Sequence, residues 1–168
     1  MKLKQTHVMY AIVTSIVLIV FGLIIQVMHM SNNKALQYLG MLPLLIAVIL
    51  NAMAYSKANE ANVSFKNVFG SCFKMVLIIT GIVLVWSFIS LQIFPEIKTQ
   101  AMEQAMAEME KSNMPEEQME MGLSYTEKFF TPIVMGAVLF MYLFWGAVFS
   151  LIGAAVAKKN PVQQQLQP

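Results

Sequence analysis

Arginine and aspartate are missing from this sequence: every cation is a lysine and every anion a glutamate. Without guanidinium groups the chain lacks the planar fork that grips phosphate or carboxylate with two parallel hydrogen bonds. That counts against a nucleic acid or a nucleotide as partner. Cysteine occurs once, at Cys72, which excludes an internal disulfide and a cysteine-cluster metal site. Charge of either sign is scarce. Only 12% of residues are charged, where a soluble domain carries about 25%. So few charges cannot cover a water-facing surface. Hydrophobic residues make up 58% of the 168, and lipid is the solvent this composition fits. The length leaves room for one domain.

Motifs that carry chemistry are missing too. The sequence has no HExxH, no nucleophile elbow and no phosphate-cradling glycine loop. A serine nucleophile would need a base, and the apolar segments offer none. The sequence therefore predicts no catalytic, cofactor-binding or metal-ligating residue, no cofactor, and a protein that is not an enzyme. Intramembrane charges usually mark pumps and transporters, and the apolar segments carry none. This argues against proton-coupled transport through carboxylates and leaves a passive pore open. Gln26, Asn51, Thr80, Ser87, Ser90 and Gln92 read as groups that bond across helices or sit near headgroups. No internal repeat suggests an inverted transporter architecture.

What is present is four long apolar segments. A helix needs about 20 apolar residues to cross a bilayer. Residues 8–28, 35–55, 75–94 and 129–157 meet that length between flanking charges. Lipid obliges each to close its backbone hydrogen bonds internally, hence as a helix. Lys2 and Lys4 before the first segment imitate a signal peptide. The apolar run is longer than a signal core and no small-x-small cleavage site follows it, so it reads as an uncleaved first span. Lysines set the orientation. One side would hold Lys2, Lys4, Lys57, Lys66, Lys74, Lys158 and Lys159; the other would hold Lys34, Lys98, Lys111 and Lys128. The first side is then cytoplasmic, with both termini inside and residues 95–128 outside.

Two segments are more than plain spans. Phe65, Val68, Phe69, Cys72 and Phe73 recur at helical spacing, with Ser64, Lys66, Asn67, Ser71 and Lys74 opposite. Residues 63–74 thus read as a short basic amphipathic helix at the interface. Its plainer reading is an anchor for the third span; its functional reading is a sensor of anionic lipid or a docking surface. Residues 95–128 carry eight of the nine glutamates, yet from Lys98 to Lys111 they consist of good helix formers without Gly or Pro. Asn113, Pro115 and Glu116 resemble a capped helix start. The expectation is a helix, a break near Ser112 and Asn113, and a second helix from Met114 towards Lys128. Gly122 and Thr131-Pro132 are the expected weak points before the last span.

Methionine is abundant, with fifteen residues, six of them at 102, 106, 109, 114, 119 and 121. Thioethers suit soft metals such as Cu(I). They also pack as flexible apolar side chains, the reading favoured by their helical spacing and their spread through the spans. His7 and His29 fall at opposite ends of the first span and cannot readily share a metal. Gly146, Ser150 and Ala154 recur every four residues in the last span, with Gly153 and Ala157 widening the small face. Such a face lets helix backbones approach closely, within the chain or between copies.

The order of these parts resembles a known family. Two apolar helices are followed by a lysine-bearing turn, Val63-Ser64-Phe65, and an amphipathic lead into the third helix. Then come Pro95, a helical insert containing Ala105-Met106-Ala107-Glu108-Met109-Glu110, and a last apolar helix ending in Lys158-Lys159. Over nearly the whole chain this resembles the bacterial membrane family called domain of unknown function 4199. The resemblance implies a four-helix bacterial inner-membrane protein. It implies no activity, cofactor or site residue.

The sequence therefore predicts an all-α, integral membrane four-helix protein with an extracytoplasmic acidic helical hairpin between helices 3 and 4. Residues 1–159 form one membrane domain and residues 160–168 a disordered tail. Its partners are the lipid bilayer and either another protein or further copies of itself, not nucleic acid. The first functional expectation is a non-enzymatic accessory or scaffold protein that binds through the outer hairpin or the basic interfacial helix. The alternative is a small oligomeric transport or pore protein, which a polar stripe shared by several spans would favour.

Overall fold

The computed structural model describes residues 3–28, 39–112 and 115–160. Among them the regular structure is helical: α1 (His7–Val27), α2 (Leu42–Ala58), α3 (Phe65–Ile93), α4 (Glu96–Lys111), α5 (Glu116–Lys128) and α6 (Phe130–Val156). Three of these, α1, α3 and α6, are long and apolar enough to cross a membrane. The fourth apolar helix, α2, has 17 residues, a length of about 25 Å against a hydrocarbon core of about 30 Å. The start of the span expected at 35–55 lies outside the described residues. So do His29, Met30, Lys34, Asn113, Met114 and the tail from 161 onward.

Local chemistry sets the helix ends. Pro43 sits in the first turn of α2, where its missing N–H costs nothing. Beyond the other end of α2, Ala61 N–H donates to Ser56 O at 2.8 Å and Glu60 N–H to Lys57 O at 3.1 Å. These are the paired bonds of a Schellman stop. Glu60 and Ala61 take φ of 55° and 58° there, a left-handed conformation that usually belongs to glycine. Ser64 then caps α3, its hydroxyl accepting from Asn67 N–H at 3.2 Å. Glutamates open α4 and α5 and a lysine closes each, which suits the helix dipole.

The interfacial helix expected at 63–74 is not a separate element. It is the first part of α3, which runs unbroken over 29 residues. Val68, Ser71, Cys72, Met75, Val76, Ile79, Thr80 and Val83 form its single buried stripe. Ser71 was expected on the polar side and is buried. Phe65 was expected on the apolar face and is exposed. The weak point before α6 is Phe129. Gly122 lies inside α5, and Pro132 is absorbed in the first turn of α6.

The chain divides into two compact units. The first takes in Met1–Val83 and Met141–Pro168. Its interior is built from stripes at i, i+3, i+4 and i+7. Ala11, Thr14, Ser15 and Leu18 come from α1; Leu44, Ala47, Val48, Asn51, Ala52 and Tyr55 come from α2. From α6 come Gly146, Phe149, Ser150, Gly153 and Ala154. On α1 the polarity is inverted relative to a helix of a water-soluble bundle. Thr14 and Ser15 are 4% and 1% exposed, while Val13 and Ile16 on either side of them are each 57% exposed. Hydroxyls face in and aliphatic side chains face out, as lipid rather than water as solvent requires.

The second unit is Leu84–Phe140. Within it α4 and α5 pack against each other. Lys98 Nζ lies 3.1 Å from Glu127 Oε1 near one end, and Met109 meets Gly122 nearer the other, so the two helices are antiparallel. A Cβ at Gly122 would lie 3.1 Å from Met109 Cε; the glycine makes room for the methionine. Neither helix has a buried residue.

Candidate functional site

Lysines gather at one end of the first unit, and backbone ties hold the chain there. Lys4 N–H donates to Asn59 Oδ1 at 2.8 Å, and Asn59 Nδ2 donates back to Lys4 O at 3.1 Å. The Ser56 hydroxyl donates to Lys158 O. Asn160 N–H donates to Ala61 O at 2.9 Å. The turn after α2 is thus fastened both to the segment before α1 and to the segment after α6. Just inside this end, Asn51 is the polar hub. Its Oδ1 accepts from the Thr6 hydroxyl at 2.7 Å, and its Nδ2 faces Ser71 Oγ at 3.4 Å and Cys72 Sγ at 3.7 Å. Thr6 stands at the N-cap of α1 without capping it; its hydroxyl serves the tertiary contact instead.

The lysines at this end are not equivalent. Lys159 folds back on α6, where its Nζ donates to the carbonyls of Ala154 and Ala155 and lies 5.7 Å from the centre of the Phe65 ring. It closes the helix C-terminus and adds a cation–π contact. Lys57 and Lys158 are exposed and line an open groove of about 640 Å³. Tyr10, Leu50, Met53 and Val156 form its apolar wall, and Glu60 shares its rim with the two lysines.

The second unit offers a different surface. Met102, Met106 and Leu123 line a groove of about 440 Å³ between α4 and α5, with Lys98, Glu103 and Glu127 around it. Met106, Met121 and Tyr125 are 49%, 54% and 61% exposed.

The polar groups singled out in the sequence do not converge. Asn51 bonds across helices. Thr80 and Ser90 donate to carbonyls of their own helix, Val76 O at 2.8 Å and Trp86 O at 2.9 Å. Thr14 and Ser15 do the same on α1. The small face of α6 turns inward: a Cβ at Gly146 would collide with Val76 Cγ1, and one at Gly153 would meet Ala52 Cβ at 3.2 Å. That face serves contacts within the chain. Sequence reasoning missed Thr6, Ser56 and Asn59, because the partners of Asn59 and Ser56 are backbone atoms distant in the chain. It also missed the groove; the spacing of Leu50, Met53, Ala54 and Lys57 on α2 was the available signal.

Fold and surface together define an all-α protein, among the described residues, with three helices long and apolar enough to cross a membrane and many large aliphatic side chains exposed along them. The chain belongs to the family described as protein of unknown function (DUF4199), which it matches over residues 9–159. No curated protein and no solved structure matches it.

Proposed function

We propose that this is a four-span protein of a bacterial inner membrane that acts as a non-enzymatic accessory or scaffold, binding a protein partner through the α4–α5 hairpin outside the membrane. In this reading α2 is the second span. The ring of Lys4, Lys57, Lys66, Lys158 and Lys159 marks the cytoplasmic side. The observation that carries the partner role is the hairpin's composition and exposure. It holds eight glutamates, buries none of its own helical residues, and leaves Met106, Met121 and Tyr125 open. Flexible methionines and an aromatic on an otherwise charged surface suit adaptable protein contacts. The buried hydroxyls of α1 and Thr80 spend their bonds on their own helices, which weighs against a polar pathway through the first unit.

Native mass spectrometry of the protein, gently extracted from its own membrane, tests this. A distinct protein in fixed ratio is expected, released by the double substitution Met106→Glu and Tyr125→Glu. If only copies of the chain travel together, the accessory role falls, and reconstituted flux measurements follow.

A further inference from the structure

On α2, Leu50, Met53, Ala54 and Lys57 fall at i, i+3, i+4 and i+7, so they share one face. From Leu50 to Lys57, about 10 Å of helix axis, the face changes from apolar to cationic. The end of α6 repeats the change, with Val156 followed by Lys158. The bond from the Ser56 hydroxyl to Lys158 O clips these two segments together, which brings Lys57 and Lys158 to one rim. Tyr10 adds an amphipathic ring to the same groove, the residue type enriched at headgroup depth. The volume of about 640 Å³ falls in the range of about 300–1,000 Å³ usual for small-molecule sites. No ion pair involving Lys57 or Lys158 is found among the described residues.

We infer that this groove binds one anionic phospholipid. Its phosphate lies between the ammonium groups of Lys57 and Lys158, and the upper part of an acyl chain runs along Leu50 and Met53. Charge complementarity and the apolar-to-basic step select this occupant; basic pockets between membrane helices on the cytoplasmic side are where anionic headgroups are held. Lys159 takes no part, because its ammonium is committed to the α6 carbonyls. Glu60 opposes binding, as the one carboxylate on the rim. The inference rests on the reading of α1, α2 and α6 as membrane helices and is independent of any partner of the hairpin.

The full chain, reconstituted in nanodiscs of phosphatidylcholine and phosphatidylglycerol with identical acyl chains at three to one, tests it by native mass spectrometry of retained lipid. The ratio of retained phosphatidylglycerol to phosphatidylcholine should exceed the bulk ratio of one to three by about tenfold, the order that two lysines supply once the opposing Glu60 is deducted. The double substitution Lys57→Gln and Lys158→Gln should return it to the bulk ratio. Glu60→Gln should raise it. Lys66→Gln with Lys74→Gln, which removes as much charge from α3, should leave it unchanged. Equal loss in that control pair, or undiminished enrichment without Lys57 and Lys158, overturns the site. So does a dimer of the chain that replaces the lipid adduct and depends on the same two lysines. A chain that inserts without enrichment sinks the lipid site alone, whereas one that fails to enter the disc sinks the membrane reading with it.

Discussion

At the scale of single residues, the polar atoms inside the first unit do structural work out of proportion to their number. Asn51 joins the segment before α1, α2 and α3 through one amide. Replacing it with alanine should cost about 1–2 kcal/mol, the range for a buried bond that loses its partner in a membrane setting. A denaturant titration in detergent micelles would show this as a lower midpoint; an unchanged midpoint would mean the amide is incidental. Glu60 argues the other way. Its φ of 55° costs a residue with a Cβ about 1–2 kcal/mol, and glycine avoids that cost. Glu60→Gly should therefore raise the same midpoint by about 1 kcal/mol after the entropy of the more flexible unfolded chain is deducted. Asn51 could be recognised in the sequence as a polar group inside an apolar run. Its partners could not, because Thr6 and Ser71 look like a cap and a solvated face until the helices are brought together.

At the scale of elements, the last helix was the most legible part of the sequence. The four-residue recurrence of Gly146, Ser150 and Ala154 gives the inward face, and that face is the one buried. What the period leaves open is whether the contact lies within the chain, a matter of which side chain stands opposite. Val76 does, and it leaves no space for a methyl group at Gly146. Gly146→Ala should destabilise by about 1–3 kcal/mol, as overpacking does, and Val76→Ala should recover most of the loss in a double-mutant cycle. Gly153→Ala, whose nearest neighbours lie at 3.2–3.4 Å, should cost less. The hairpin helices were legible from composition and came within two residues of their limits, with the Asn113 cap outside the described residues. The first part of α3 was misread for a physical reason. Lys66 and Lys74 stand on its exposed side and interrupt the apolar run, while the buried stripe beneath them continues without a break.

At the scale of the whole molecule, the absences in composition were already informative. Too few charges for a water-facing surface become, in three dimensions, long helices with large aliphatic side chains on their exposed faces. Orientation rests on the lysines and is open to a direct measurement. Cys72 is fully buried and should not react with a membrane-impermeant maleimide in the folded protein. Against that silent background, Ser112→Cys should label in intact cells and Asn62→Cys only after the membrane is opened. The reverse pattern would turn the protein over and place the hairpin inside.

The ties at the lysine-rich end also order the protein's birth. Ser56 and Ala61 leave the ribosome long before Lys158 and Asn160, the residues whose backbone they hold. Until α6 has been synthesised, the turn after α2 stands with its Lys4 contact alone, and one wall of the groove does not exist. A nascent chain stalled before Val156 would carry its first three apolar helices and an unfastened turn. The last residues to arrive therefore act as a latch on a turn made long before them.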